Sequence, residues 1–145
     1  MVGVIAAGVV IGLALPEGLF LPLSESSHHV RFGLCSRGGG DNCVVDGDTF
    51  WLDGKKIRLA DIDTPEIHPP RCVREAELGH RAKERLHALL NPGPVRLDMI
   101  GRDEDQFGRK LRIVNRGGVS LGDILVREGL ARPWVGRRES WCDVT

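Results

Sequence analysis

The sequence contains no tyrosine, and its only aromatic residues are four Phe and three Trp. Any aromatic stacking surface must therefore be built from phenylalanine or tryptophan. The formal net charge at neutral pH is zero. This balance excludes the broad basic field of proteins that coat DNA without sequence preference. Contacts to a polyanion would have to come from a few individually placed arginines.

Lysine and arginine are also absent from the first 28 residues, whose only charged side chains are Glu17 and Glu25. An apolar run extends to Leu15 and resumes after a Pro-Glu-Gly interruption. Fifteen helical residues span roughly 22 Å, short of the ~30 Å apolar core of a bilayer unless the second run joins. We expect residues 1–23 to be a signal peptide or membrane anchor, although the basic n-region of a signal is missing. A disordered or buried arm is the alternative.

This leader predicts an exported protein, periplasmic or extracellular, which residues 1–23 would anchor to the membrane if they are not cleaved. Residues 24–34 contain a polar, Ser- and His-rich stretch typical of a linker. Residues 35–145 then form one domain, because the chain length suits a single core. We expect this domain to be a monomer.

Four cysteines follow the leader, namely Cys35, Cys43, Cys72 and Cys142. An even number in a chain with an export-like leader favours disulfides, and three pairings are possible. A zinc site built from these thiols and some of the histidines is the alternative. No two cysteines have the C-x₂₋₄-C spacing of such sites, which argues against it.

The alternation of residues predicts a β-hairpin over 44–66, with Asp53-Gly54 at its turn. Apolar residues recur at helical spacing from Arg74 to Leu90. Strands follow at 95–100 and 111–114, a short helix capped by Ser120 and Gly129 comes next, and a last strand covers 130–135. The pattern indicates an α+β domain: an OB-type, five-stranded β-barrel with about two packed helices.

Five charged residues stand near the ends of these predicted strands. Asp48 and Asp63 are hard oxygen donors, which repel each other unless a cation lies between them. Arg58 and Arg109 supply planar guanidinium groups that match phosphate geometry. Glu66 can accept a proton from water. Together they have the composition of a site for phosphodiester hydrolysis, whereas surface salt bridges are the simpler interpretation.

Several blocks of the sequence resemble the thermonuclease, or staphylococcal nuclease-like, family. They occur in the family's order and cover roughly residues 42 to 135: Asp46-Gly-Asp-Thr49, Arg58-Leu-Ala-Asp-Ile-Asp-Thr-Pro-Glu66, Phe107-Gly-Arg109 and Leu125-Val-Arg-Glu-Gly-Leu-Ala131. The resemblance implies an OB-fold enzyme that uses Ca²⁺, or another hard divalent cation, to cleave DNA and RNA and leave 3′-phosphates.

By matching positions, the resemblance implies that Asp48, Asp63 and the backbone carbonyl of Thr64 bind the metal ion. The catalytic residues would be Arg58, Glu66 and Arg109, with the glutamate activating or orienting the attacking water and the arginines holding the phosphate.

Two departures from the family pattern change what we expect. Phe107 replaces a tyrosine of the archetype, so we expect substrate contacts from Phe107 and Trp134, with Trp51 as the other candidate for base stacking. The archetype's long C-terminal helix has no room here. We therefore hypothesise that a bridge between Cys72 and Cys142 holds the shortened tail.

An OB-fold module that binds single strands or a protein partner without cutting is the alternative function.

Overall fold

The structure is a computed structural model that describes residues 29–37 and 39–143. The expected leader, residues 1–23, and the first part of the expected linker lie outside the described residues. Within the described ranges, no helix has both the length and the apolar character required to cross a bilayer.

The described residues form nine strands and two helices, which confirms the expected α+β class. In chain order the elements are β1 Gly33–Leu34, β2 Cys43–Asp46, β3 Thr49–Leu52, β4 Lys55–Leu59, β5 Ile62–Asp63, α1 Val73–Leu90, β6 Arg96–Glu104, β7 Lys110–Arg116, β8 Val119–Ser120, α2 Leu121–Arg127 and β9 Arg132–Pro133.

Seven strands pair in one sheet whose order is β1-β2-β3-β4-β7-β6, and β8 pairs with β7. Strands β5 and β9 form a separate two-stranded sheet. The pairings of the described residues leave β1 and β6 as edges that do not pair with each other. Strands outnumber the five expected because the Asp-Gly-Asp turn separates β2 from β3, and because four two-residue strands extend the pairing.

The predicted hairpin between β3 and β4 is confirmed, including its turn. Asp53 and Gly54 have φ angles of 47° and 75°, which is the left-handed backbone that a type I′ turn requires at both central positions. The register places Arg58 opposite Thr49. The hairpin therefore brings the arginine to the end of the sheet where the Asp-Gly-Asp turn lies.

Both predicted helices are present, and each begins at a capping residue. Helix α1 follows Cys72, whose sulfur accepts a hydrogen bond from the backbone N–H of Glu75 at 3.4 Å. Helix α2 follows Ser120, whose hydroxyl accepts from the N–H of Asp123 at 3.3 Å. Gly129, with a φ of 73°, terminates α2 as expected.

The core lies between the sheet and the two helices, with α1 against β2 and α2 against β7. Its largest fully buried apolar side chains are Phe50, Leu59, Ile62, Leu86, Leu90, Leu121 and Leu125. The contact between α1 and the Asp-Gly-Asp turn is very close. A Cβ atom placed on Gly47 would lie 2.6 Å from Cβ of Ala82 and 2.9 Å from Cγ2 of Thr64. Glycine at this position lets the helix hold the turn.

All four cysteines form disulfides. Cys35 pairs with Cys43, eight residues away, and Cys72 pairs with Cys142, 70 residues away. Since no described cysteine is free, the zinc alternative loses its thiol ligands. The longer bridge joins the start of α1 to the C-terminal segment, as hypothesised.

The last strand is shorter than predicted: β9 comprises Arg132 and Pro133 alone. Proline has no N–H to continue the ladder. Trp134 instead donates its backbone N–H to the carbonyl of Asp61 at 2.9 Å. Beyond it the chain turns at Gly136, where φ is 83°.

Candidate functional site

The turn between β2 and β3 positions the first acid of the site. Asp48 is 2% exposed, and its two carboxylate oxygens accept from different parts of the chain. Oδ1 accepts from the hydroxyl of Thr49 at 2.9 Å, and Oδ2 accepts from the backbone N–H of Thr64 at 3.4 Å. The second bond ties the turn to the end of β5, where Asp63 lies.

Arg58 lies between the two buried aspartates. Its Nη2 atom is 3.5 Å from Oδ2 of Asp48 and 3.9 Å from Oδ1 of Asp63. Its Nη1 atom donates to the backbone carbonyls of Leu59 at 2.6 Å and Ile62 at 3.2 Å. A buried guanidinium is stable only when its charge is paired and its N–H groups are used. Both conditions are met here.

Glu66 occupies the rim of this group and is held by backbone donors. Its Oε1 atom accepts from the N–H groups of Ile67 and His68, both at 3.0 Å. The N–H of Glu66 itself donates at 3.3 Å to Oε1 of Glu75, a buried residue of α1. The orientation of the Glu66 carboxylate is therefore fixed from both sides, while its Oε2 atom faces Arg138.

Arg109 is held within its own loop. Its Nε donates to Oδ2 of Asp105 at 2.7 Å, and its backbone N–H donates to Oδ1 of the same residue at 3.0 Å. Its guanidinium lies over the ring of Phe107, 5.4 Å from the centroid. Among the described residues, Asp105 is the only acid within salt-bridge distance of Arg109.

One cavity nonetheless connects Arg109 to the buried group. It has a volume of about 360 Å³ and is lined by Arg58, Arg102, Phe107, Arg109, Trp134 and Arg138, among others. Trp134 lies beneath Arg58, with 5.0 Å between the guanidinium carbon and the ring centroid. The two arginines and two aromatic residues singled out from the sequence thus face the same space, whereas the three carboxylates lie beside it.

Burial and a neighbouring carboxylate raise the pKa of two acids in this region, Asp46 and Asp63. Burial, with the neighbouring Asp48 carboxylate, raises the pKa of Asp46 well above its ordinary value. Burial also raises the pKa of Asp63, where Asp48 adds to the shift and the guanidiniums of Arg138 and Arg58 oppose it. A positive charge placed among these acids would reverse the shifts.

The donor set can be compared with the needs of a cation. Among the described residues, no three His, Cys, Asp or Glu side chains cluster as a metal site. Asp48 and Asp63 remain as a pair, and the buried Oδ1 of Asp63 accepts no hydrogen bond from the described chain. Hard cations often bind through one or two carboxylates and complete their shell with water and substrate phosphates. The residues fit such a cation.

Three residues of this region were not predicted as site residues from the sequence. Asp46 accepts a hydrogen bond from the N–H of Asp48 at 3.2 Å. Arg138 lies 3.3 Å from Glu66 Oε2 and 3.6 Å from Asp63 Oδ1. Trp141 donates its indole N–H to Oδ2 of Asp63 at 3.4 Å. The Asp-x-Asp spacing could have indicated Asp46, whereas no local pattern indicates the other two.

The chain is similar to several known proteins. Residues 56–141 match the family described as staphylococcal nuclease homologue. Over 95 residues the chain is 38% identical to Endonuclease YncB of Bacillus subtilis (strain 168), covering 61% of this chain and 44% of that protein. It is 37% identical over 95 residues to the SPbeta prophage-derived endonuclease YokF of the same organism, covering 61% and 31%. Thermonuclease of Staphylococcus hyicus is 34% identical over 93 residues, covering 61% and 54%.

The chain spans about half or less of the length of these curated relatives. The family match includes Arg58, Glu66, Arg109 and Arg138, while Asp48 lies before its start. Since the match covers more than half of the 145 residues, the chain belongs to the staphylococcal nuclease homologue family.

Proposed function

We propose that this protein is a metal-dependent nuclease that hydrolyses phosphodiester bonds of DNA or RNA and leaves 3′-phosphates. The observation that carries the proposal is that Asp48, Asp63 and Glu66 lie around the guanidiniums of Arg58 and Arg138, which line the same cavity as Arg109. The names of the relatives, two endonucleases and a thermonuclease, support the same reaction class.

The cation we propose is Ca²⁺, held by Asp48, Asp63 and the backbone carbonyl of Thr64. When bound, such an ion supplies positive charge that makes a water more acidic and offsets charge on the phosphate oxygens. The hydrogen bond from the Thr64 N–H to Asp48 holds the backbone of Thr64, whose carbonyl belongs to the next peptide, near the carboxylate. This proximity supports the choice of Thr64 as the third donor.

Glu66 is the residue we assign to the attacking water. Its carboxylate is 25% exposed and is oriented by two backbone N–H groups, so it can accept the proton of a water that attacks phosphorus. The bond to the 5′ oxygen then breaks, which leaves the phosphate on the 3′ side. Arg58 and Arg109 offset the charge that grows on the phosphate oxygens, because guanidinium donors match that geometry.

Phe107 and Trp134 are the residues we assign to the nucleoside. Their side chains are 73% and 39% exposed, respectively, and both line the arginine cavity. An exposed aromatic ring can stack on a base of any sequence. A phosphate in the cavity would bring the attached base within reach of one of these two rings.

The test uses the purified full chain with plasmid DNA and RNA, in Ca²⁺ or in chelator. We expect degradation in Ca²⁺ and its loss in chelator. Glu66→Gln should lower kcat by about 10²- to 10⁴-fold, because a positioned acid–base group contributes that much. The exposed Glu77 of α1 offers a matched control, and Glu77→Gln should leave kcat unchanged. Retardation of a labelled strand without cutting would instead support the non-catalytic binding module.

We further propose that the protein is exported and acts as a monomer outside the cytoplasm, with residues 1–23 as signal or membrane anchor. Its two disulfides support an oxidising compartment, since disulfides persist there. Fractionation of cells expressing the full chain, followed by size-exclusion chromatography, tests both points. Recovery from the cytosol with reduced thiols would contradict the first.

A further inference from the structure

We propose that Arg138 binds a substrate phosphate, and that the C-terminal segment (residues 134–143) positions Arg138 at the site. The inference rests on the proposed function, because it adds a substrate-binding residue to that same site. The segment contains no helix or strand, so its position depends on individual contacts.

Three kinds of contact fasten the C-terminal segment. The disulfide from Cys142 to Cys72 joins it to the start of α1. The indole of Trp141 is 7% exposed and donates to Asp63. Arg132 of β9 donates to the carbonyl of Ser140 at 2.8 Å and lies over the Trp141 ring, 3.8 Å from its centroid. A segment anchored this way holds its side chains in defined places.

Among Arg58, Arg109 and Arg138, which all line the cavity, Arg138 has the least committed guanidinium. Arg58 donates to two buried carbonyls, and Arg109 donates to Asp105. Arg138 faces Asp63 and Glu66 as an ion pair, yet none of its N–H groups makes a hydrogen bond with the described chain. A guanidinium has five donors in a planar fork, so Arg138 has donors to offer to a ligand.

Its surroundings indicate what that ligand is. Arg138 is 35% exposed and lines the same cavity as Arg58, Arg109 and Trp134. Several guanidiniums around one cavity repel each other unless an anion lies among them. Partly exposed ion pairs contribute little to folding, so stability alone gives little reason for this placement. A phosphate of a nucleic acid strand fits both observations.

Arg137 provides a matched control on the same segment. Its side chain is 77% exposed and pairs only with Glu139, at 3.5 Å, among the described residues. It carries the same charge as Arg138 and differs in position. Arg137→Ala therefore measures the effect of removing one positive charge from the segment. Arg138→Ala measures the effect of removing a positive charge that faces the cavity.

The experiment measures binding and cleavage separately in the oxidised full chain. The binding probe is a fluorescent phosphorothioate oligonucleotide, which resists hydrolysis, titrated by anisotropy at several salt concentrations. Arg138→Ala should weaken binding by about ten- to a hundredfold, as expected for a charged hydrogen bond. It should also reduce the slope of log affinity against log salt by about 0.7. KM should rise by a similar factor, and Arg138→Lys should recover part of the loss.

Arg137→Ala should leave both affinity and KM near the wild-type values. Equal affinity, salt slope and KM for Arg138→Ala and wild type would overturn the assignment while leaving the nuclease intact. A wild-type protein that binds the probe but does not cut would refute the nuclease, and Arg138 would then be judged on binding alone. A wild-type protein that binds no probe would refute both. Circular dichroism of each variant confirms that it is folded.

Discussion

The two sides of the site are built in opposite ways. The acidic side, formed by Asp48, Asp63 and the guanidinium of Arg58, is buried and is held by hydrogen bonds to the backbone of β4, of β5 and of Thr64 just beyond β5. The other side, formed by Phe107 and Arg109, lies on a connecting loop and is organised by Asp105 of that loop. The acidic side thus depends on the fold, whereas the loop side depends on its own local turn.

Substituting one arginine on each side gives the sharpest test of this difference. Arg58→Ala should lower the free energy of unfolding by about 3–5 kcal/mol, because it removes the guanidinium partner of buried Asp48 and one of the two guanidinium partners of buried Asp63. Arg109→Ala should change it by less than about 1 kcal/mol but reduce kcat about 10²- to 10³-fold. Urea unfolding and steady-state kinetics measure the two effects. Arg96→Ala, at an exposed ion pair, is the control. If Arg58→Ala and Arg109→Ala lowered the free energy of unfolding equally, the two sides of the site would not differ in their dependence on the fold.

The packing beneath the acidic side offers a second test. Gly47→Ala places a methyl group against Ala82 and Thr64, so the turn has to move away from α1. We expect a loss of about 1–3 kcal/mol in the free energy of unfolding, as for other overpacked sites. Gly33→Ala is the control, since nothing lies within 4 Å of its added Cβ. A Gly47→Ala protein as stable as wild type would show that the helix does not hold the turn.

The smallest expected effect concerns Asp46, whose pKa is raised by burial and by Asp48. Because the folded protein then binds the proton more tightly than the unfolded chain, stability should fall as pH rises from the ordinary aspartate range through the raised pKa. In chelator, Asp46→Asn should therefore be more stable than wild type at pH 7, by up to about 1 kcal/mol, and lose this advantage near pH 3. Thermal unfolding across pH, with exposed Asp41→Asn as control, measures this. If the stability advantage of Asp46→Asn over wild type increased as the pH fell, the predicted direction of the effect would be wrong.

The sequence was a good guide to the acidic side because its residues sit at strand ends within one hairpin. The Asp53-Gly54 turn fixes the register, and the register brings Arg58 back to the aspartate turn. Sequence patterns also predicted α1 through its apolar periodicity and α2 through its caps, Ser120 and Gly129. These features are local, so spacing alone carries the information.

Arg138 and Trp141 were not predicted because no local sequence pattern determines their position. They reach the site on a segment without regular secondary structure, held by a bridge between residues 70 positions apart. The four cysteines allow three pairings, and no periodicity chooses among them. The extent of β9 was overestimated because Pro133 ends the ladder, and the burial of Asp46 depends on packing that a spacing pattern does not contain.

The close approach of α1 to the Asp-Gly-Asp turn has an evolutionary consequence. Positions 47 and 82 are far apart in the chain but share one space, so a larger residue at either one can be tolerated only with compensation at the other or at Thr64. Drift at these positions should therefore be correlated across relatives, since co-varying pairs mark spatial contact. Such a signal would separate relatives that keep the close contact between helix and turn from those that have lost it, without reference to the acidic residues.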